Sequence, residues 1–313
     1  MSRLRVVFMG TPDFAVPCLD RLVADGHEVA AVVTQPDRPK GRGQKLTPSP
    51  VKEAALGHGL AVMQPEKIRA AEFQAQLAAL APAVIVVVAF GQFLPKAMLE
   101  LPPLGCVNVH ASLLPRYRGA APIHWAVMNG ESSTGVTTML MDTGMDTGDM
   151  ILKAEVAIGP NETTGEVHDR LKELGATVLS ATLARLADGT APRMPQDGAA
   201  ASYAPLLTRA VERIDWGRPA AAVHNLVRGL SPWPGAYCLH AGRTLKVWRS
   251  EVVATERGSG RPGRVIAAGD AGAVVLAGDG AVRLTEVQPE NRRRMGMDEY
   301  IRGYGLTVGE TLE

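Results

Sequence analysis

The run Val84-Ile85-Val86-Val87-Val88 constrains this chain more than any other feature. Five consecutive β-branched residues offer water no polar face. A strand made of them must be covered on both sides, as in a parallel sheet flanked by helices. The surrounding pattern agrees. Short β-rich runs at residues 4–9, 28–34 and 106–110 alternate with helical stretches such as 13–25 and 66–80, which predicts an α/β domain with a parallel-sheet core. Ser49-Pro50 reads as an N-cap and first-turn proline ahead of a short helix over 51–57.

Two strands near 133–141 and 151–156 precede a long helix over 163–188. Its apolar positions Val167, Leu171, Leu174, Val178, Leu179 and Leu183 keep a helical period, and Gly189 supplies the stop. Residues 190–202 are rich in Ala, Pro and Gly and have no period, which predicts a linker. Beyond 206 the texture changes. After one helix at 220–229 come five short β pieces punctuated by glycine, near 236–240, 245–253, 263–268, 273–276 and 282–288, the pattern of a small barrel. At 313 residues the chain exceeds the usual reach of one hydrophobic core, so the expected division is 1–189, a linker over 190–205, and 206–313.

No apolar run approaches the roughly 18 residues of a membrane-spanning helix. The first ten residues read as a buried strand rather than a secretory leader. Cys18, Cys106 and Cys238 are too scattered for a disulfide framework or a zinc site, so core packing and a reducing, cytoplasmic setting are expected. The net charge of +1 divides into 18 basic and 20 acidic side chains up to residue 205 and 15 and 12 after it. The resulting +3 in the second part is weak evidence by itself for a polyanionic partner.

Several motifs favour bland readings. Gly10-Thr11-Pro12-Asp13 lacks dinucleotide-binding spacing and places a proline where a phosphate would need an amide, so a tight turn capped by Asp13 suffices. Asp142-Thr143-Gly144 and Asp146-Thr147-Gly148 resemble two aspartic-protease signatures, yet four residues in one loop cannot bring two carboxylates face to face. Asp142, Asp146 and Asp149 also miss the spacing of a calcium loop, and no metal is expected. The stretch beginning Asn108-Val109-His110 is different. On a strand, Asn108 and His110 face the same side, at the carboxyl end where open α/β sheets bind ligands. They can supply a carboxamide donor and a titratable imidazole to one crevice, or simply close a turn.

Together with Ser112-Leu113-Leu114-Pro115 and the later Asp146, these residues resemble the folate-dependent formyltransferase family. The opening Phe8-Met9-Gly10-Thr11-Pro12-Asp13-Phe14-Ala15, the segment Gln35-Pro36-Asp37-Arg38-Pro39-Lys40-Gly41-Arg42-Gly43, and Asp215-Trp216 with Pro232-Trp233-Pro234-Gly235 extend the likeness over nearly the whole chain. The resemblance implies a Rossmann-like catalytic domain and a C-terminal domain related to the OB fold. It also implies transfer of formyl from 10-formyltetrahydrofolate, as cosubstrate, to the amine of methionine esterified to initiator tRNA, without an obligate protein partner. Asn108, His110 and Asp146 are then the catalytic trio. Ser112, Leu113, Leu114 and Pro115, with Phe90 and Gly91 of Phe90-Gly91-Gln92-Phe93, are expected to wall the folate.

The connection 35–50 is longer than the 2–6 residues usual in an α/β unit. Its Arg38, Lys40, Arg42 and Lys45 stand against only Asp37, a composition suited to the phosphates of an RNA acceptor stem. A solvated loop is the plain alternative. Rival functions are a formyltransferase acting on a small amine, a formylfolate-hydrolysing module, and a noncatalytic tRNA- or folate-binding protein. An intact trio speaks against the last.

Overall fold

The computed structural model describes residues 3–40, 43, 45–254 and 260–313. Its strands begin, in chain order, with β1 (Arg5–Gly10), β2 (Glu28–Val33), β3 (Arg38–Lys40), β4 (Lys45–Thr47), β5 (Val62–Met63), β6 (Val84–Val88), β7 (Cys106–His110), β8 (Arg118–Gly119), β9 (Ser133–Leu140) and β10 (Met150–Ala157). The helices among and after them are α1 (Val16–Ala24), α2 (Pro50–Gly57), α3 (Ala71–Ala79), α4 (Lys96–Leu99), α5 (Pro122–Met128) and α6 (Thr164–Ala187). Contacts divide the chain into two compact units. The first comprises Met1–Gly119, Gly135–Val156 and His168–Tyr203, and the second Ala120–Thr134, Ala157–Val167 and Ala204–Glu313.

In the first unit seven strands form one sheet in the order β10-β9-β7-β6-β1-β2-β5. β6, the apolar run, is buried along its whole length. Burial of each valine side chain contributes about 1.5–3 kcal/mol. β5, β2, β1, β6 and β7 run parallel, with Val6 opposite Val84 and Ile85 opposite Cys106. β9 is antiparallel to β7, placing Thr137 opposite His110. The expected parallel core is therefore present, and antiparallel β9 extends it beyond β7. The antiparallel strand lies beyond the repeating strand–helix units, and parallel pairing alone demands a long crossover.

Two helices fix β7 and its neighbours. Cys18, Leu19 and Leu22 of α1 are buried on one face. On α6, Val167, Leu171, Val178, Leu179 and Leu183 are buried as their period predicts, while Leu174 is only half-buried. Gly175 lies mid-helix, where glycine costs about 1 kcal/mol relative to alanine. A Cβ there would stand 3.3 Å from Val109 Cγ1, so the glycine lets α6 pack closely on β7. Left-handed Gly189, with φ 74°, follows the helix as its stop.

Three local expectations change. Asp13 does not cap its turn: the short 3-10 helix begins after Pro12 with no side-chain cap. Gly10 is required instead by packing, since a Cβ would meet that of Ala15 at 2.8 Å. The connection 35–50 contains the hairpin β3–β4, pairing Arg38 with Thr47. Ser49 does cap α2, accepting from the Lys52 amide at 3.1 Å. Residues 190–203, most of the linker expected over 190–205, are fastened to the first unit. Met194 exchanges two backbone hydrogen bonds with Met150, and Ser202 accepts from the Arg118 amide at 2.8 Å.

β11 (Tyr203–Ala204) pairs with β8, and the second unit then adds α7 (Arg209–Glu212), α8 (Ala220–Gly229), β12 (Ala236–His240), β13 (Arg243–Val253), β14 (Val265–Gly269), β15 (Gly272–Leu276), β16 (Ala281–Pro289), β17 (Met295–Gly296) and α9 (Met297–Tyr304). The antiparallel path is β12-β13-β16-β15-β14, with β17 on β16. Its two ends are joined by the C-terminal segment. Glu313 exchanges hydrogen bonds with Leu239 on β12, while Val265 on β14 donates to Glu310 and accepts from Gly309. This closure matches the barrel expected from the five glycine-punctuated runs, and it removes exposed sheet edges.

Candidate active site

Asn108 and His110 occupy alternate positions on β7 and so share a face, with Val109 turned toward α6 on the other. The loop between β9 and β10 brings Asp146 to them. Asn108 Nδ2 donates to Asp146 Oδ1 at 3.3 Å, and His110 Nδ1 lies 3.7 Å from Asp146 Oδ2. The backbone N–H of Gly119 donates to Asp146 Oδ2 at 2.8 Å. His110 is buried and the other two are half-buried.

Acceptor-only partners fix the proton positions. An ionised carboxylate can only accept, so the Asn108 amide must present nitrogen to Asp146, leaving its second N–H for another acceptor. His110 Nε2 lies 2.9 Å from the Tyr117 carbonyl oxygen, which also only accepts. Nε2 therefore holds a hydrogen, and Nδ1, facing Asp146, is the nitrogen available to exchange a proton. The other Asp-Thr-Gly copy serves the backbone instead. Asp142 Oδ1 accepts from Gly144 N at 2.9 Å and Thr147 Oγ1 at 2.7 Å, bracing the turn.

Ser112, Leu113, Leu114 and Pro115 follow β7 directly, but their side chains do not form the apolar wall expected. Ser112 is fully buried, and its hydroxyl donates to the Arg116 carbonyl at 2.7 Å. Leu114 packs inward with Met139 and Met150, and its carbonyl accepts from Lys153 Nζ. Only Leu113 and Pro115 are half-buried. Phe90 likewise belongs to the core with Val7, Met9 and Phe73, while Gly91, with φ 85°, is exposed. Because β6 and β7 are parallel neighbours, both loops leave the same edge of the sheet. What they can offer a ligand is mainly backbone, with Leu113, Pro115 and Gly91.

Arg38 is exposed on β3, and Lys40 and Lys45 face each other in the backbone register of the hairpin; Arg42 lies outside the described residues. Asp37 does not offset these cations, since it binds Lys52 Nζ at 2.6 Å and Gln64 Nε2 at 2.7 Å. Cys106 is sealed at the start of the site strand: burial pushes its thiol up to about 12, and those of Cys18 and Cys238 equally. Among the described residues, Asp13, His168 and Asp169 have metal-ligand spacing, but Asp169 is already paired with Lys172 at 2.8 Å. Two cavities, of about 560 Å³ beside Trp216 and about 620 Å³ beside Phe73, include none of the trio in their linings.

A formyl transferase family model matches residues 3–183, and the model of the formyl transferase C-terminal domain matches residues 206–305. The chain belongs to the formyl transferase family. It is 53% identical to a methionyl-tRNA formyltransferase of Geobacter metallireducens over 99% of this chain and 98% of that one. It is 54% identical to one of Moorella thermoacetica over 99% of each. Among solved structures, HypX from Aquifex aeolicus in complex with tetrahydrofolic acid has a TM-score of 0.65 at 18% identity, matching 100% of this chain and 51% of HypX. The sugar 3N-formyl transferase WlaRD has a TM-score of 0.68 at 17% identity, covering 94% and 100%. At such identities these two speak to fold alone. No helix among the described residues is long and apolar enough to cross a membrane.

Residues that sequence reasoning left without a role surround the candidate site. Tyr117 supplies the His110 acceptor, Gly119 an Asp146 donor, and Thr137 Oγ1 accepts from Leu114 N at 3.1 Å while donating to the Ser112 carbonyl at 2.7 Å. Backbone groups carry no residue-type signal, and a threonine in a strand looks like any other.

Proposed function

We propose that this enzyme transfers the formyl group of 10-formyltetrahydrofolate to the α-amino group of methionyl-initiator tRNA, in the cytoplasm, with Asn108, His110 and Asp146 as its catalytic residues. The observation that carries the chemistry is the meeting of a carboxamide, an imidazole and a carboxylate at the end of β7. Near-complete matches to relatives named for methionyl-tRNA carry the acceptor.

The acceptor attacks as a free amine, and an α-amino group with an ordinary pKa of about 7.7–8.0 supplies one near neutrality. Asn108, with one N–H held by Asp146, offers its other N–H to the formyl oxygen as negative charge develops there. A bond forms from the methionine nitrogen to the formyl carbon, and the bond from that carbon to the folate nitrogen breaks. The amine loses one proton and the departing nitrogen gains one. His110 Nδ1 carries it, directly or through a water held by Asp146. The exposed Arg38, with Lys40, Arg42 and Lys45, together with the net +3 of residues 206–313, supply cations for the tRNA phosphates.

Incubating the purified protein with 10-formyltetrahydrofolate and either charged initiator tRNA or small amines tests the reading. Formyl transfer confined to charged tRNA is expected. Transfer only to a small amine, or hydrolysis alone, would move the protein to one of its rivals.

A further inference from the structure

The segment 190–203 reads in the sequence as featureless connection, yet one of its side chains enters the candidate active site from behind. Gln196 Nε2 donates to the carbonyl of Asp146 at 2.7 Å and to that of Gly148 at 2.8 Å. Its Oε1 accepts from both Nε and Nη2 of Arg118, at 3.0 and 2.7 Å. Arg118 is buried and lies between Tyr117, whose carbonyl holds His110, and Gly119, whose amide holds the Asp146 carboxylate. One amide side chain thus uses both ends to tie the loop carrying Asp146 to the loop that orients its partners.

Asp146 needs such a tie. Its φ is 55°, a left-handed conformation that a non-glycine residue holds only when its surroundings impose it. The Asp146 carbonyl is the group whose direction changes if the residue relaxes to ordinary backbone, and that carbonyl is the one Gln196 holds.

We propose that Gln196 is a positioning residue for formyl transfer, acting through Asp146. It touches none of the three side chains itself. It fixes the backbone that aims the Asp146 carboxylate at Asn108, His110 and Gly119. The inference rests on the catalytic role proposed for Asp146.

The test is a double-mutant cycle in kcat, with KM for both substrates and thermal unfolding followed in each variant. Gln196→Met removes every hydrogen bond of the side chain. Gln196→Glu keeps an acceptor for Arg118 but turns a carboxylate toward two carbonyls, so it separates the tie to Asp146 from the satisfaction of Arg118, and it carries the test if the methionine variant fails to fold. Both should lower kcat about tenfold, the effect of one hydrogen bond's free energy on a barrier, with KM unchanged within about twofold. Neither should lower kcat further in an Asp146→Ala background. The proposal is overturned if Gln196→Glu keeps the parental kcat, or if the loss is as large without Asp146 as with it. Parental turnover of Asp146→Ala alone would instead remove the catalytic reading on which the inference stands.

Discussion

Gly148 offers a severe test of how the Asp146 loop is held. A Cβ on Gly148 would stand 1.7 Å from the Leu140 carbonyl oxygen and 2.9 Å from its carbon. Those atoms are backbone, so no rotamer change relieves the clash; the two chains must separate by more than about 1 Å before ordinary contact is restored. Separation breaks the hydrogen bonds that close this loop, from Leu140 N to Asp149 O at 2.9 Å and from Gln196 Nε2 to the Gly148 carbonyl at 2.8 Å. It also strains that from Gly119 N to Asp146 at 2.8 Å. At a net 0.5–1.5 kcal/mol for each of the two broken bonds and part of that for the strained one, Gly148→Ala should destabilise the first unit by roughly 1–4 kcal/mol. For a unit of this size that lowers Tm by roughly 2–16 °C. Displacing the Asp146 carboxylate, in the catalytic role proposed for it, by about 1 Å should cost on the order of 100-fold in turnover. Steady-state formyl transfer well below the variant's Tm, alongside thermal unfolding, measures both. A variant with parental kcat and Tm would refute the described approach of Gly148 to Leu140 and the anchoring of Asp146 derived from it.

Asn108→Ala should raise the barrier to transfer by roughly 2.7–4 kcal/mol, as loss of one oxyanion donor does, while the affinity for charged tRNA, read by filter binding, stays near parental. Arg42→Ala should weaken formylation of charged tRNA most at low ionic strength and leave binding of a formylfolate analogue intact; equal activity at every salt concentration removes the hairpin from recognition. Thr163 and Glu166 form a reciprocal cap on α6, with Thr163 N donating to Glu166 Oε2 at 2.7 Å and Glu166 N to Thr163 Oγ1 at 3.3 Å, so Thr163→Ala should cost about 1 kcal/mol in urea unfolding. The Thr163 backbone and hydroxyl hydrogen bonds hold the Glu166 carboxyl below the usual range. Its contribution should therefore be complete above the unfolded value of about 4.3 and disappear as pH falls through the lower folded value, making the stability gap to Glu166→Gln close in acid.

The parts of this fold legible in the sequence are those where burial dictates residue type. Val84–Val88 could be nothing but an enclosed strand, and the barrel strands announced themselves by short apolar runs between glycines. Arg38–Lys40 carries no such signal: its strand is two cations around a proline, paired at the surface. The candidate site divides the same way. Asn108 and His110 are readable because a strand of period two puts them together. Leu114 misled, because an apolar residue beside a site looks the same whether it faces ligand or core. Asp142 and Asp146 share the sequence Asp-Thr-Gly, yet one braces a turn and the other meets the imidazole. What separates them is backbone direction. Gln196 has no pattern at all, since a side chain that binds carbonyls across the fold leaves no periodicity near its own position.

Two residues at the site hold positive φ without being glycine, Tyr117 at 59° and Asp146 at 55°. Such conformations cost of order 1–3 kcal/mol each and persist only where the surroundings overdetermine them. Each aims one group. Tyr117 turns its carbonyl to His110, and Asp146 turns its carboxylate to Asn108 and Gly119. Each is also gripped from 190–203: Tyr117 N donates to Ser202 Oγ at 2.9 Å, and the Asp146 carbonyl accepts from Gln196. The strand supplies position, because β7 is held between neighbours and under α6, but it cannot orient an imidazole or an amide about its own side-chain bonds. Orientation needs partners at defined points off the strand, and here they come from strained loops. A segment that fixes those loops belongs to the candidate site as much as the strand does, although nothing in its composition separates it from a tether.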